Sequence, residues 1–81
     1  MARLILYTTA GCHLCEQAEV LLAEVLSDTG FSLCKVDIAT DAGLVERYGI
    51  RIPVVRKDTG HEELGWPFDV NMLKDFLDHA D

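Results

Sequence analysis

The spacing of apolar and polar residues along the chain changes from one segment to the next. Arg3 to Tyr7 is a near-continuous apolar run, which is typical of a strand covered on both faces. From residue 14 to residue 26, apolar residues recur three and four positions apart, with polar residues on the opposite side. This spacing predicts an amphipathic helix of about four turns. The turn-forming segment Ser27 to Gly30 is expected to end it.

The middle of the chain predicts a second strand and a short second helix. Alternation from Phe31 to Ile38 predicts the strand. One face would carry Phe31, Leu33 and Lys35, and the other Ser32, Cys34 and Val36. Thr40 is the predicted N-cap of the helix, whose apolar edge includes Tyr48 and which Gly49 ends.

The last third of the chain predicts a hairpin followed by a helix. Ile52 to Arg56 is the third predicted strand, and Pro53 is expected at a strand start or an edge because it cannot donate a ladder hydrogen bond. Lys57 to Gly60 forms the turn, and His61 to Leu64 the returning strand. Asp69 is the expected cap of a helix that buries Val70, Leu73, Phe76, Leu77 and Ala80. Phe68 and Leu73 have the spacing of a hydrophobic staple.

The predicted order β-α-β-α-β-β-α favours an α/β sandwich with one hairpin edge. With 81 residues and no internal repeat or linker, we expect a single domain over residues 1–81. Fourteen acidic and seven scattered basic residues give a net charge of −7, so no nucleic-acid partner is expected. No apolar run approaches the roughly 20 residues of a membrane span, so no membrane partner is expected. The segment after Met1 is too short for a signal peptide, which predicts a cytoplasmic, reducing location.

Three cysteines are too few, and odd in number, for a disulfide framework. Cys12 and Cys15 stand three apart, where a polar turn meets the first helix. Unpaired N–H groups and the helix dipole stabilise a thiolate there, so we expect the pKa of Cys12 to lie below its free value of about 8.5. Cys15, on the core-facing side, is placed to attack a mixed disulfide formed on Cys12. The alternative, that both are small core residues, fits poorly with the polar turn at Cys12.

His13 and Cys34 each have two interpretations. His13, if protonated, would stabilise the Cys12 thiolate, or else it is an exposed histidine at the helix entry without a role. Cys34 is expected to be buried filler in its strand, and the alternative is a third redox or metal-binding thiol. His61 and His79 have no ligand-like spacing and are expected at the surface.

Two of these segments resemble motifs of a known family. The strand, the segment Thr9-Ala10-Gly11-Cys12-His13-Leu14-Cys15 and the following helix resemble the thioredoxin-fold oxidoreductases. Val36-Asp37-Ile38, followed by Tyr48-Gly49-Ile50-Arg51-Ile52-Pro53-Val54-Val55, is similar to the glutaredoxin branch. The resemblance covers nearly the whole chain. It implies a thioredoxin-like, glutaredoxin-type α/β sandwich with a four-stranded mixed sheet flanked by three helices. It also implies that the peptide bond before Pro53 is cis and that Pro53 faces the cysteine pair.

Three positions differ from the usual glutaredoxin pattern. His13-Leu14 replaces the Pro-Tyr pair between the cysteines. No lysine shortly precedes Cys12. Gly65-Trp66-Pro67-Phe68 replaces the Gly-Gly element that helps to hold glutathione in that family. These departures leave the use of glutathione open.

The resemblance, with the chemistry above, gives a set of site residues. Cys12 is the expected nucleophile and Cys15 the resolving cysteine. The expected substrate-binding residues are His13, Arg51, Ile52, Pro53 and Trp66. Arg51 would hold a carboxylate of glutathione or support the thiolate, or else be a solvated surface residue. The backbone of Ile52 would pair with an extended substrate. Trp66 would wall a groove or pack the last helix.

The leading functional hypothesis is a small thiol–disulfide oxidoreductase that reduces protein disulfides or glutathione mixed disulfides. It would need no bound cofactor, only a reductant such as glutathione or a reductase. Its partner would be a disulfide-bearing protein or a small thiol, and a monomer is expected. One alternative is a carrier of a soft metal or, across a dimer, an iron–sulfur cluster, although no complete metal-ligand set is predicted. The other alternative is a non-catalytic adaptor on the same fold.

Overall fold

The computed structural model describes residues 2–27 and 29–78. Its elements, in chain order, are β1 (Ala2–Thr8), α1 (His13–Leu26), β2 (Phe31–Asp37), a 3-10 turn (Ile38–Thr40), α2 (Ala42–Tyr48), β3 (Val54–Lys57), β4 (Glu63–Gly65) and α3 (Val70–Asp78). The strands and the three α-helices follow the predicted β-α-β-α-β-β-α order. Asp28, His79 and Ala80, which the sequence analysis placed in a turn, at the surface and in the last helix, lie outside the described residues.

The four strands form one mixed sheet in the order β2-β1-β3-β4. β1 runs parallel to β2 and antiparallel to β3, and β3 pairs antiparallel with β4. Tyr7, near the end of β1, pairs with Val36 on one side and with Val54 on the other. Pro53 immediately precedes Val54, so it stands at the start of a central strand. This is the end of the sheet from which the chain runs on to the cysteines.

Alternation along β1 divides the protein interior in two. Leu4 and Leu6 lie in the larger core cluster, under α1 and α3, whereas Ile5 and Tyr7 lie in the smaller cluster beside α2. The apolar run of β1 is therefore covered on both faces, as its sequence predicts. β2 follows the same division, because Phe31 and Leu33 pack on the larger cluster and Val36 packs on the smaller one.

The helices of the larger cluster follow their sequence pattern closely. The buried residues of α1 recur three and four positions apart: Cys15, Ala18, Leu22 and Val25. In front of α3, the Asp69 carboxylate accepts a hydrogen bond from the Met72 N–H at 2.8 Å, which is the predicted cap. Phe68 and Leu73 are both buried in the same cluster, as expected of a hydrophobic staple.

The predicted N-cap of α2 was wrong by one residue. The cap is Asp41, whose Oδ1 accepts hydrogen bonds from the N–H groups of Gly43 (2.7 Å) and Leu44 (3.3 Å). Thr40 instead ends the 3-10 turn, and its hydroxyl donates to the Asp37 carbonyl at 2.8 Å. Threonine and aspartate are both favourable caps. The sequence pattern does not show the 3-10 turn after β2. Because this turn ends at Thr40, the residue at the start of α2 is Asp41.

The two strands of the hairpin begin later than predicted, at Val54 rather than Ile52 and at Glu63 rather than His61. The Ile52 N–H donates to the Tyr48 carbonyl at 3.1 Å, so this residue closes the end of α2 instead of joining the sheet. In the hairpin loop, the Gly60 carbonyl accepts from the Arg56 guanidinium at 2.9 Å. This hydrogen bond lies within the loop, and the pairing of the returning strand with β3 begins only at Glu63.

Candidate dithiol site

A three-residue turn connects β1 to the cysteine pair. Gly11 has a φ of +77°, a left-handed conformation that glycine adopts without the steric penalty of a side chain. The Thr9 hydroxyl donates to Asp37 Oδ1 at 3.1 Å, which fastens the turn to the end of the neighbouring strand β2. The direction in which the chain enters α1 is therefore set by one glycine and one hydrogen bond.

Cys12 is the N-cap residue of α1. Its sulfur accepts a hydrogen bond from the Cys15 N–H at 3.1 Å, in the position where a serine or aspartate oxygen usually caps a helix. The sulfur therefore accepts from an N–H group of the first turn that has no partner within the helix, and it faces the positive end of the helix dipole. Both features stabilise negative charge on that atom.

The two sulfurs lie at disulfide distance, and the Cα atoms are 5.2 Å apart, within the range that disulfides require. The residues differ in exposure. Cys15 is 1% exposed and belongs to the buried face of α1, whereas Cys12 is partly exposed. Cys15 is thus the less accessible sulfur, as its position in the sequence predicts. Cys34, the third cysteine, is free and partly buried rather than fully buried filler.

His13 follows Cys12 but points to an acidic neighbour. Its side chain is 91% exposed, and its Nδ1 lies 3.5 Å from a carboxylate oxygen of Glu16, one turn later on α1. A protonated His13 would therefore form an ion pair with Glu16. Its effect on the Cys12 thiolate stays a prediction.

The segment before β3 brings together two of the predicted substrate-binding residues. The Ile52–Pro53 peptide bond is cis, and Pro53 is fully buried. The Trp66 N–H donates to the Pro53 carbonyl at 3.0 Å, so these two residues are neighbours across the β3–β4 pair. The Trp66 ring packs edge-on against Phe68, with ring centroids 5.1 Å apart.

Ile52 and Arg51 are more constrained than the sequence suggests. The expectation that the backbone of Ile52 is open to a substrate was wrong for its N–H, which is bonded to the Tyr48 carbonyl. Arg51 is not a freely solvated arginine, because its Nη2 lies 3.0 Å from a carboxylate oxygen of Glu63 in β4. Its guanidinium also lies 5.5 Å from the centroid of the Tyr48 ring.

Glu63 in β4 and Tyr48 at the end of α2 form a hydrogen-bonded pair that the sequence did not indicate. The Tyr48 hydroxyl donates a short hydrogen bond to the Glu63 carboxylate. Burial, together with this hydrogen bond and the neighbouring Tyr7, raises the pKa of Tyr48 to about 12. Burial alone would raise the pKa of Glu63, but the hydrogen bonds from Tyr48 and Arg51 outweigh burial and lower it. At neutral pH, Tyr48 therefore stays protonated and Glu63 stays ionised.

Two apolar side chains near the cysteines and Pro53 in the sequence are exposed. Ile50, three residues before Pro53, is fully exposed, and Leu14, between the cysteines, is 44% exposed. Ile50 was not singled out from the sequence, although it is an apolar residue at a position that neither the helical nor the strand pattern uses. Leu14 was counted in the apolar series of the first helix, and its exposure departs from that expectation.

Two further properties concern only the residues that the structure describes. Among residues 2–27 and 29–78, no group of three or more His, Cys, Asp and Glu side chains is arranged to hold a metal ion. The helices of this same part of the chain include none that is both long and apolar enough to cross a membrane.

A mixed four-stranded sheet with helices on both faces, and a cysteine pair at the start of the first helix, defines the thioredoxin fold. Solved structures agree. The protein XcR50 from X. campestris is 44% identical, with a TM-score of 0.82 over 96% of this chain and 99% of that chain. A thioredoxin from Halobacterium salinarum is 24% identical, with a TM-score of 0.72 over 93% of this chain and 70% of that one. The second likeness concerns the fold alone.

Sequence comparison then gives the family. The family described as "Glutaredoxin-like domain (DUF836)" matches residues 3–78. The "Uncharacterized protein Rv0508" of Mycobacterium tuberculosis is 36% identical over 74 residues, which cover 85% of this chain and 75% of that protein. The chain therefore belongs to this glutaredoxin-like family, as its motifs predicted.

Proposed function

We propose that the protein is a small thiol–disulfide oxidoreductase that uses Cys12 and Cys15 to reduce disulfides. One observation carries the proposal. The two sulfurs lie at disulfide distance at the N-terminus of α1, with Cys12 partly exposed and Cys15 buried behind it. The partly exposed sulfur of Cys12 is accessible to a substrate disulfide. The buried sulfur of Cys15 is accessible to Cys12.

The proposed reaction transfers two electrons from the dithiol to the substrate. The Cys12 thiolate attacks one sulfur of a substrate disulfide, which forms a mixed disulfide and releases the other substrate sulfur as a thiolate. Cys15 loses its proton and attacks the sulfur of Cys12. This step releases the second substrate sulfur and leaves the Cys12–Cys15 disulfide. Two equivalents of a thiol such as glutathione, or a reductase, then restore the dithiol.

The structure supports the first of these steps at a named atom. The Cys15 N–H donates to Cys12 Sγ at 3.1 Å. Such a donor favours the charged sulfur over the neutral one, so it increases the fraction of Cys12 present as the attacking thiolate.

The surroundings favour protein disulfides as the substrates. Glu63 already neutralises Arg51, so this arginine is a weak site for the carboxylate of glutathione. Exposed Ile50 and Leu14 offer apolar contact to a protein chain instead. In this proposal Trp66 borders the substrate together with the carbonyl of Ile52, buried Pro53 positions that carbonyl, and exposed His13 contacts the substrate from the helix. The proposed setting is a reducing cytoplasm, with the protein acting as a monomer.

Intact-mass spectrometry tests the proposal. The protein is equilibrated in a series of glutathione redox buffers, quenched in acid and measured under denaturing conditions. We expect a reversible loss of two hydrogens that maps to Cys12 and Cys15. Cys12→Ser should abolish disulfide reduction, and Cys15→Ser should accumulate a mixed disulfide with the substrate. Cys34→Ser is the matched control and should behave like the unaltered protein.

Two outcomes would change the conclusion. A stable glutathione adduct on Cys12 in the unaltered protein would indicate a monothiol-like, glutathione-using site rather than a dithiol. No mass change across the series, or full activity of Cys12→Ser, would overturn the assignment to dithiol chemistry.

A further inference from the structure

A cleft lies on the sheet face that carries α2, and neither Cys12 nor Cys15 lines it. We call it the arginine cleft. Its volume is about 230 Å³, and its lining includes Tyr7, Arg47, Arg56, His61 and Glu63. A water molecule occupies about 30 Å³ in the liquid, so the cleft has room for a small polyatomic ligand.

The arginine cleft concentrates positive charge in an acidic protein. The chain has a net charge of −7 and only four arginines. Two of them, Arg47 and Arg56, line the cleft, and Arg51 stands beside it on Tyr48. The carboxylate in the cleft is that of Glu63, which accepts hydrogen bonds from Arg51 at 3.0 Å and from the Tyr48 hydroxyl. Glu63 is therefore already engaged.

Arg56 is a partly buried cation whose hydrogen bonds all go to uncharged oxygens. Its Nε and Nη2 donate to the Tyr7 hydroxyl at 3.3 Å. Its Nη1 donates to the carbonyls of Lys57 (3.2 Å) and Gly60 (2.9 Å). Among the described residues no carboxylate lies within 4.0 Å of it, and nearby Asp58 pairs with Arg3 at 3.4 Å instead. Four of its five N–H groups are thus used, and none of them compensates the charge.

Arg47 contacts the Tyr48 ring and leaves its hydrogen-bond donors unused. Its guanidinium lies 5.4 Å from the ring centroid, a cation–π contact, and its side chain is 68% exposed. Its nearest carboxylate oxygen, on Glu63, is 3.9 Å from Nη2, which is too long for a hydrogen bond. The N–H groups of Arg47 therefore make no hydrogen bond within the part of the chain that the structure describes.

We propose that the arginine cleft binds a small oxyanion, a phosphate or carboxylate group, which pairs with Arg47 and Arg56. Burial of a charge is unfavourable unless an opposite charge and hydrogen bonds compensate it, and Arg56 lacks the opposite charge. Guanidinium groups match the planar or tetrahedral oxygens of such anions. His61 lines the same cleft and adds a ring N–H donor. The site is independent of the dithiol chemistry.

Solution NMR of the full chain, with inorganic phosphate as the probe, tests this proposal. Phosphate is added at constant ionic strength, with chloride as the balancing anion. We expect saturable shifts of the amide signals of Tyr7, Tyr48 and residues 56–60, and no saturable shifts in α1 or α3. A parallel titration with acetate separates the two ligand types. The anion with the higher affinity identifies whether the cleft prefers a phosphate or a carboxylate group.

Two charge-matched variants decide whether the binding belongs to this cleft. Arg47→Gln should weaken phosphate binding about tenfold, the loss of one charge-assisted hydrogen bond. Lys74→Gln removes the same charge from an exposed position of α3, on the other face of the sheet, and should change the affinity by less than about twofold. Arg47 is an exposed side chain. Replacing it therefore tests the site and leaves intact the hydrogen bonds that Arg56 makes within the hairpin. Equal weakening by both variants, or shifts that never saturate with either anion, would overturn the proposal.

Discussion

The two faces of the sheet are stabilised by different kinds of contact. Beneath α1 and α3, the buried side chains of the described residues are apolar except for Lys57, whose ammonium lies 5.3 Å from the centroid of the Phe76 ring. Beside α2, the rings of Tyr7 and Tyr48 stack with centroids 4.2 Å apart and carry hydroxyls bonded to charged groups. The first face should therefore resist changes of pH, and the second should respond to them.

The largest effect should come from a cavity in the apolar face. Leu22 of α1 is fully buried, so Leu22→Ala removes its contacts and should lower the free energy of unfolding by about 3 kcal/mol. Denaturant unfolding measures this loss, which should be the same at pH 6 and pH 9. Val20→Ala, at an exposed position of the same helix, is the control and should stay within about 0.5 kcal/mol. Equal losses in the two variants would contradict the assigned faces of α1.

A smaller effect is expected from the tyrosine of the polar face. Tyr48→Phe removes the hydrogen bond to Glu63 and should cost about 1–2 kcal/mol at neutral pH. The pKa of Tyr48 rises from 10.0 to about 12 in the folded protein. The unfolded chain therefore loses this proton first, and the stability that depends on it is present below pH 10 and lost as the pH rises through about 12.

The measurement is denaturant unfolding between pH 8 and pH 12, with Cys34→Ser present in both proteins to limit thiol exchange. The parent should lose stability across the upper part of this range, and Tyr48→Phe should lose less. Parallel pH profiles would show that the polar face does not depend on this proton.

The smallest effect should appear on the acid side. The folded protein lowers the pKa of Glu63 below its usual 4.5, so the contribution of this carboxylate is present above pH 4.5 and is lost as the pH falls through the lowered pKa. Glu63→Gln keeps an acceptor for Tyr48 but not the charge, and should cost about 1 kcal/mol at neutral pH. Its stability should then fall less steeply in acid. Glu62→Gln, at the exposed neighbouring position, should follow the parent profile.

The same contrast explains how much the sequence could predict. The helical spacing of Cys15, Ala18 and Leu22, the run of β1 and the cap at Asp69 are local patterns, and the structure agrees with them. The cysteine pair at a helix start is local too. Each of these features depends on residues within about one turn or one strand, so periodicity and capping chemistry suffice to predict them.

The polar face could not be predicted in this way. Tyr48 and Arg51 reach Glu63 across 15 and 12 positions, and Arg56 reaches Tyr7 across 49, so no periodic pattern connects them. A charged residue looks the same in a sequence whether it is solvated or paired. This is why Arg51 could be identified from the sequence, whereas Glu63, which pairs with it, could not. The engaged N–H of Ile52 likewise depends on how α2 ends in space.

The capping role of Cys12 has a consequence for how this protein can be observed. The Cys12 sulfur and the end of α1 share one hydrogen bond, from the Cys15 N–H. Any event that adds or removes charge on Cys12 Sγ alters the electron density around that single amide proton. The Cys15 amide resonance is thus a built-in spectroscopic reporter of the redox and protonation state of the neighbouring sulfur, and it needs no attached label.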